Sequence, residues 1–130
     1  MLRNPPRATV LVVDRDEDTR IVCRPLFEAA GFEVLEADDG VTGLSMARER
    51  APDVVITELT LTGLDGFALI RELKERLRDT FVVVLTARRI PADREAAGAA
   101  GCSMFLEKPI PPQVLVREVS AVLERRLPSA

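Results

Sequence analysis

The sequence contains no histidine, no tryptophan and no tyrosine among its 130 residues. Without histidine, the chain lacks the side chain most often used as a general acid or base and the commonest protein ligand of transition metals. Only five phenylalanines remain as aromatic residues that could stack on nucleic-acid bases. These absences exclude histidine-dependent catalysis and histidine metal centres, and they argue against base stacking.

Cysteine is also scarce, and no long apolar run is present. The two cysteines, Cys23 and Cys102, do not form a CxxC pair, which favours reduced thiols. Pro5-Pro6 lies where a signal peptide needs its apolar core, and no stretch approaches the roughly 18 apolar residues of a membrane span. The net charge of −3 does not suit a broad nucleic-acid surface. We therefore expect a soluble cytoplasmic protein that contacts neither membrane nor nucleic acid through this chain.

The chain has the length and composition of one globular domain. It is 47% hydrophobic and 30% charged, which is ordinary for a soluble fold. We expect residues 1–7 to form a disordered lead, residues 8–127 to form the domain, and residues 128–130 to be a tail or a truncated linker.

Five short apolar runs rich in β-branched residues alternate with five helical patterns. This alternation predicts an α/β fold with a parallel sheet covered on both faces. The expected strands are Ala8 to Val13, Phe32 to Glu36, Val54 to Thr57, Phe81 to Leu85 and Ser103 to Glu107. The expected helices run from a cap at Asp16 or Asp18 to about Ala30, from Val41 to Arg50, from Gly66 to Leu77, from Pro91 to Ala100, and from Pro111-Pro112 to Leu127.

Polar side chains follow four of the predicted strands, at the point where each strand ends. They are Asp14, Glu58, Thr86 and Lys108. Because the carboxyl ends of parallel strands meet at one edge of a sheet, these groups should converge. Two carboxylates, a hydroxyl and an ammonium around one crevice are typical of a site for phosphate and metal. Arg88 and Arg89, by contrast, are expected on a solvated surface.

The motifs at these strand ends resemble those of the receiver domain of two-component response regulators. The resemblance covers nearly the whole chain, through VLVVDRD, PDVVITELTLTGLDGFALIREL, VVVLTA and AGCSMFLEKPI. It implies a flavodoxin-like (βα)5 fold with strand order 2-1-3-4-5. It also implies phosphoryl transfer from a histidine kinase to an aspartate at the end of the third strand, with Mg²⁺ held by acidic residues nearby.

Most positions of the site match the family pattern, and the resemblance implies a role for each of them. The first acidic residue of the pocket is Asp14, with Asp16 close behind it. The matching positions that remain are Thr60 for a backbone carbonyl ligand of the metal, Thr86 for the switch hydroxyl, Phe105 for the switch aromatic, Lys108 for the phosphate-contacting lysine and Pro109 for a cis proline.

Two positions depart from the family pattern. Glu58 stands where the resemblance implies the phosphorylated aspartate, and Arg15 stands where it implies a second metal-binding acid. Glutamate carries its carboxylate one methylene farther out, and an arginine cation disfavours Mg²⁺. We therefore expect a degenerate receiver that is not phosphorylated in the usual way and has no resident metal; if Mg²⁺ binds at all, Asp14, Glu58 and Thr60 are the expected ligands.

Two arrangements could replace the missing metal chemistry. In the first, Glu58 reaches toward Thr86 or Lys108 and partly imitates a phosphoryl group. In the second, Arg15 folds over the site and pairs with Asp14 or Glu58. We favour the second, because positions 15 and 58 depart from the pattern together and arginine suits a bidentate carboxylate pair.

The resulting functional hypothesis is a signalling module without catalytic turnover that acts by protein–protein interaction. The resemblance implies docking through the fourth helix, fifth strand and fifth helix, where Ile90, Pro111, Val114 and Val122 are candidates. The expected partner is a signalling protein such as a histidine kinase or an effector domain, or a second copy of the chain.

Two alternatives remain open. In one, the chain is still phosphorylated at another residue or binds Mg²⁺ through Asp14 and Asp16. In the other, the chain is a flavodoxin-like cofactor binder. The second is disfavoured because the acidic segment after the first strand would repel a phosphate and because few aromatic rings are available for stacking.

Overall fold

A computed structural model describes residues 7–126. Five strands alternate with five helices along this part of the chain. The strands are β1 (Thr9–Val13), β2 (Glu33–Ala37), β3 (Val54–Thr57), β4 (Phe81–Thr86) and β5 (Met104–Glu107), and the helices are α1 (Glu17–Ala29), α2 (Gly40–Arg50), α3 (Gly66–Arg76), α4 (Ala92–Ala100) and α5 (Pro112–Arg126).

The five strands form one parallel sheet with the order β2-β1-β3-β4-β5. The register pairs Val13 with Thr57, and Thr57 in turn with Val84, so that the central strands finish close to the same level. This arrangement confirms the predicted flavodoxin-like fold and its strand order. It also brings the residues that follow β1, β3, β4 and β5 to a single edge of the sheet.

Alternate residues of the strands supply the two halves of the core. Side chains of a strand point to opposite faces in turn, and Val10 and Val12 therefore join the cluster that includes Phe27 of α1 and Leu115 of α5. Leu11 belongs to the opposite cluster, together with side chains of α3 and α4. Since both faces are covered, the central strands read as continuous apolar runs instead of alternating ones.

The observed boundaries differ from the predicted ones by about one residue at several ends. The second strand begins at Glu33, because Phe32 still belongs to the end of α1: its N–H donates to the carbonyl of Phe27 at 3.0 Å, and the two rings meet edge to face. Other strand ends also shift: β1 begins at Thr9, β2 ends at Ala37, β4 ends at Thr86 and β5 begins at Met104. Among the helices, α1 ends at Ala29, α2 begins at Gly40, α3 ends at Arg76 and α4 begins at Ala92.

The predicted cap of the first helix is confirmed. Asp16, one of two candidates, caps α1 by accepting the N–H of Asp18 at 3.0 Å, and α1 continues through Pro25. The predicted lead falls almost wholly outside the described residues, as do the end of the last helix at Leu127 and the tail 128–130. Within residues 7–126, no helix is long and apolar enough to cross a membrane.

Gly66 sets how closely α3 approaches the loop that follows β3. A Cβ at this position would lie 2.5 Å from the carbonyl oxygen of Glu58 and 2.6 Å from the Cα of Leu59. The Gly66 N–H donates to the Leu59 carbonyl at 2.9 Å, and the side chain of Asp65 caps the helix. The backbone on either side of Glu58 is therefore held by a close approach that only glycine permits.

We expect Gly66→Ala to lower the free energy of unfolding by roughly 1–3 kcal/mol, because the added methyl group must displace backbone atoms. Gly98→Ala is the matched control, since nothing lies within 4 Å of a Cβ built in α4. That variant should be about 0.5–1 kcal/mol more stable, because alanine favours a helix interior. Urea unfolding measures both, and equal effects of the two substitutions would contradict this assignment.

Candidate functional site

Four strand ends converge on one cluster of polar side chains, as the sequence predicts. The ammonium nitrogen of Lys108 lies 2.8 Å from Oδ2 of Asp14 and 3.3 Å from Oε2 of Glu58. Asp14 and Glu58 are only 3% and 5% exposed, and Thr86 is completely buried. The site is therefore an ion cluster in which one half-buried cation faces two buried anions.

Backbone hydrogen bonds that prolong the sheet hold these residues in position. The N–H of Glu58 donates to the carbonyl of Val13 at 3.0 Å, and the N–H of Lys108 donates to the carbonyl of Thr86 at 2.8 Å. Each ladder thus continues past the regular end of its strand. The side chains of Glu58 and Lys108 consequently approach one another from a rigid base.

The carboxylate of Glu58 is satisfied by groups of two loops. Oε1 accepts the N–H of Leu59 at 2.7 Å, and Oε2 accepts the N–H of Ala87 at 3.2 Å. Burial alone would raise the pKa of Glu58, but hydrogen bonds from Thr86, Leu59 and Ala87 together with the charge of Lys108 hold that pKa below its usual value. Glu58 is therefore ionised at neutral pH.

The other two charged groups respond to the same burial. Removal from water raises the pKa of Asp14, against the opposing effect of Lys108 and of the Asp16 N–H. Burial would lower the pKa of Lys108, but its contacts with Asp14 and Glu58 outweigh that effect and raise it. Lys108 therefore remains an ammonium ion at any pH near neutrality, where Glu58 is charged.

Arg15 does not pair with the site, and the favoured arrangement from the sequence is wrong in this respect. Its side chain is exposed and lines a polar hollow with Asp38, Asp39 and Thr62. Among the described residues, the cation that faces Asp14 and Glu58 is Lys108. Because Lys108 already takes the place between these two anions, the guanidinium at position 15 stays in water.

The contacts agree with the first of the two predicted arrangements, in which Glu58 reaches toward Thr86 or Lys108. Oε2 of Glu58 lies 3.3 Å from the Lys108 ammonium, and the Thr86 hydroxyl contributes to the lowered pKa of Glu58. Asp16, which the sequence analysis places in the acidic pocket, instead uses its carboxylate to cap α1 by accepting from Asp18 and Thr19, and it is exposed. Only its backbone N–H meets the pocket, through Oδ1 of Asp14 at 2.9 Å.

The remaining predicted residues surround this cluster. The peptide bond between Lys108 and Pro109 is cis, as predicted. Phe105 is half-buried, and the Arg94 guanidinium lies 4.7 Å from its ring centroid. Thr60 is in the exposed part of the loop after β3.

The surface formed by α4, β5 and α5 exposes three of its four predicted docking residues at least in part. Ile90 is 50% exposed, Pro111 is exposed and Val114 is half-buried. Val122 is predicted for this surface, but it is buried. The reason is helical spacing, because Val122 lies on the same stripe of α5 as Leu115 and Val119, which pack into the core.

Sequence reasoning missed the ion pair between Arg88 and Asp93. The Arg88 guanidinium donates to both carboxylate oxygens of Asp93, at 2.8 and 3.3 Å, whereas the sequence analysis places Arg88 on a solvated surface. The sequence does carry a signal for this pair. Asp93 lies in the first turn of α4, five residues after Arg88, and Arg88 directly follows Thr86-Ala87 at the strand end.

A magnesium ion at this site would compete with contacts that the carboxylates already make. Mg²⁺ takes six oxygen ligands in octahedral geometry, usually one or two carboxylates together with several waters. Oδ1 of Asp14 accepts the Asp16 N–H, Oδ2 is paired with Lys108, and both oxygens of Glu58 accept backbone N–H groups. Within residues 7–126, there is no group of three or more acidic or cysteine side chains suited to hold a metal ion.

Comparison with known proteins identifies the family. The sequence profile of the response regulator receiver domain matches residues 10–120. The chain belongs to this family. The transcriptional regulatory protein PrrA of Mycobacterium tuberculosis is 38% identical over 117 residues, which cover 90% of the chain and 50% of PrrA. PilH of Pseudomonas aeruginosa is 29% identical over 118 residues, which cover 89% of the chain and 98% of PilH.

Solved receiver structures share the fold. The chemotaxis protein CheY4 of Vibrio cholerae superposes with a TM-score of 0.82 at 27% identity, over 90% of this chain and 99% of CheY4. A CheY-like receiver of Methanospirillum hungatei reaches 0.88 at 18% identity, over 92% of this chain and 96% of the other, which supports the fold alone. This receiver domain spans about half the length of PrrA, the first of the curated relatives it matches.

The family assigns the chain to two-component signalling. Receiver domains are signalling modules that interact with the kinases and effectors of such systems. The structure brings together Asp14, Glu58, Thr86 and Lys108, the residues that the sequence resemblance matches to the family's site.

We expect Lys108→Met to lower the free energy of unfolding by about 2–4 kcal/mol near neutral pH, because two buried carboxylates lose the cation between them. The pKa values of Asp14 and Glu58 should rise in the variant. A carboxyl group whose pKa is higher in the folded than in the unfolded state stabilises the fold more as the pH falls. The wild-type Glu58 has the opposite shift: its pKa is lowered in the fold, so its stabilising effect is lost as the pH falls below the ordinary glutamate pKa of 4.5. The difference in the free energy of unfolding between the variant and the wild type should therefore become smaller at acidic pH.

Lys74→Met is the control for this experiment. Lys74 donates to the carbonyl of Thr80 at 2.9 Å and does not contribute to the pKa of Glu58. Urea titration at a series of pH values measures the effect of Lys108→Met on unfolding, and the Glu58 carboxyl carbon resonance reports the pKa of Glu58. That pKa should rise in Lys108→Met and stay as in the wild type in Lys74→Met. A constant difference between Lys108→Met and the wild type would contradict the assigned ion cluster.

Proposed function

We propose that this receiver domain is an atypical one that is not phosphorylated at the usual position and signals through protein–protein contacts. The observation that carries the proposal is the state of the Glu58 carboxylate. It already lies 3.3 Å from the Lys108 ammonium, and the Thr86 hydroxyl helps to keep its pKa low. The family resemblance assigns both of these groups to the phosphoryl oxygens. The side chain at position 58 thus occupies the contacts that a phosphoryl group would use.

The length of the side chain also argues against phosphorylation. Both oxygens of Glu58 accept hydrogen bonds, from Leu59 and from Ala87, so neither is directed into open space as a nucleophile. A misplacement of about 1 Å from the attack position can lower the rate on the order of a hundredfold. Attack on a phosphoryl donor would first require Glu58 to give up bonds in a buried site, where unpaired polar groups are costly.

The charge pattern supports a receiver that works without resident magnesium. Phosphoryl transfer in general depends on metal ions to neutralise developing charge. Here Arg15 replaces an acid, and the carboxylates of Asp14 and Glu58 are engaged by Lys108 and by backbone N–H groups. We propose that Lys108 supplies the neutralising charge in this domain permanently.

Incubation with acetyl phosphate and Mg²⁺, followed by intact mass measurement, tests the proposal. We expect the wild-type chain to gain no phosphate. The double variant Glu58→Asp, Arg15→Asp should gain one phosphate, because it restores the shorter nucleophile and the missing acid. The single variant Glu58→Asp is the matched control and should gain less.

A phosphate on the wild-type chain would refute the proposal. If that phosphate disappeared in Asp14→Asn or Asp16→Asn, the alternative in which these acids accept phosphate or bind the metal would be supported instead.

The interaction part of the proposal concerns the surface of α4, β5 and α5. Ile90 and Pro111 are exposed apolar residues on it, and Arg89 and Arg94 both pair there with Glu107. Exposed apolar groups ringed by charges are typical of protein contacts. We propose that a signalling protein such as a histidine kinase or an effector domain, or a second copy of the chain, docks on this surface.

Sedimentation velocity at a series of concentrations distinguishes the two kinds of partner. If the partner is a second copy, the wild-type chain should dimerise, and Ile90→Lys should weaken the dimer by roughly tenfold or more, because the substitution would bury a charge in place of an apolar anchor. Val41→Lys is the control, because Val41 is equally apolar and 60% exposed but lies on α2. A monomer at all concentrations excludes self-association and leaves the signalling protein.

A further inference from the structure

The N–H groups of two consecutive residues tie the loop between β4 and α4 to the site, one to Glu58 and one to Thr86. The N–H of Ala87 donates to Oε2 of Glu58 at 3.2 Å, and the N–H of Arg88 donates to Oγ1 of Thr86 at 3.0 Å. The second bond occupies a lone pair of the Thr86 hydroxyl, which leaves its proton free to point toward Glu58. Both hydrogen bonds exist only while residues 87 and 88 follow this path.

The side chain of Arg88 keeps the loop on this path. Its Nε and Nη2 donate to Oδ2 and Oδ1 of Asp93, and Asp93, in the first turn of α4, is only 6% exposed. The Arg88 guanidinium also lies 5.7 Å from the ring centroid of Phe67 in α3. A bidentate arginine–carboxylate pair is directional, so it fixes the orientation of Arg88 as well as its distance.

We propose that Arg88 and Asp93 are a positioning pair, which holds the Ala87 N–H against Glu58 and the Arg88 N–H against the Thr86 hydroxyl, and thereby couples the site to the start of α4. The pair touches neither carboxylate of the site and acts only through the peptide groups between Thr86 and Arg88. The inference goes beyond the proposed function and does not depend on whether Glu58 accepts phosphate, because it concerns the unmodified chain.

The competing explanation is that Asp93 merely stabilises α4. An acid in the first turn of a helix interacts favourably with the helix dipole. Glu95 offers a matched comparison, because it is the other acid in that turn and is exposed to solvent. If only charge near the helix N-terminus mattered, neutralising Asp93 and neutralising Glu95 would affect the loop alike.

Hydrogen exchange on the full chain, followed by NMR, separates the two explanations. In Asp93→Asn we expect the amides of Ala87 and Arg88 to exchange roughly tenfold faster or more, as local opening of the loop becomes easier. The amide of Leu59, which also donates to Glu58 but lies in another loop, should exchange at an unchanged rate. The Glu58 carboxyl carbon resonance should shift. Glu95→Gln should change none of these.

A second pair of variants keeps the test decisive if Asp93→Asn unfolds the chain. Arg88→Lys keeps the charge but loses the two-pronged geometry, and should show part of the effect, whereas Arg88→Met should show all of it. The proposal is overturned if Asp93→Asn or Arg88→Met lowers stability while the Ala87 amide and the Glu58 carboxyl resonance stay as in the wild type. It is equally overturned if Glu95→Gln reproduces the changes.

Discussion

The ammonium ion of Lys108 lies between two nearly buried carboxylates, and the rest of the site follows from the need to balance those charges. Moving an ion out of water costs several kcal/mol even after the protein relaxes. One cation cannot compensate two anions, so Asp14 and Glu58 also accept N–H groups of Asp16, Leu59 and Ala87. The need to compensate these two negative charges therefore brings N–H groups of the loops after β1, β3 and β4 to the carboxylates of Asp14 and Glu58.

This balance explains why the residues at positions 15 and 58 are compatible with an intact fold. Glu58 keeps the negative charge that Lys108 requires, and its extra methylene is accommodated because it ends on the Ala87 N–H. Arg15 adds a cation next to Asp14 in sequence, but Lys108 already occupies the inner side of that carboxylate. The Arg15 guanidinium is exposed to solvent and would gain little by moving into the site, because the attraction of a buried ion pair must exceed the free-energy cost of removing both groups from water.

The fold and the convergence of the four strand ends could be predicted from the sequence, because both follow from apolar runs and helical patterns that alternate along the chain. Sequence reasoning also anticipated the cis peptide before Pro109. It failed in three places: Arg15 turns outward, the Asp16 carboxylate forms the predicted cap of α1 and does not enter the acidic pocket, and Val122 lies on the buried stripe of α5. The position of Val122 could have been read from helical spacing. The position of Arg15 could not, because it depends on competition in space between Lys108 and Arg15 for the same carboxylates, which spacing along the chain does not express.

Glu58 also joins two regions that are separate in the sequence. Through Oε1 it holds the loop that leads to α3, and through Oε2 it holds the loop that leads to α4. An aspartate carboxylate, set back by about one C–C bond of roughly 1.5 Å, would lengthen at least one of these bonds beyond hydrogen-bonding range. The same methylene that displaces the carboxylate from a nucleophile's position thus permits it to bridge the two loops. In a receiver that works without phosphate, this bridge would hold the start of α4, and the surface beside it, in one arrangement.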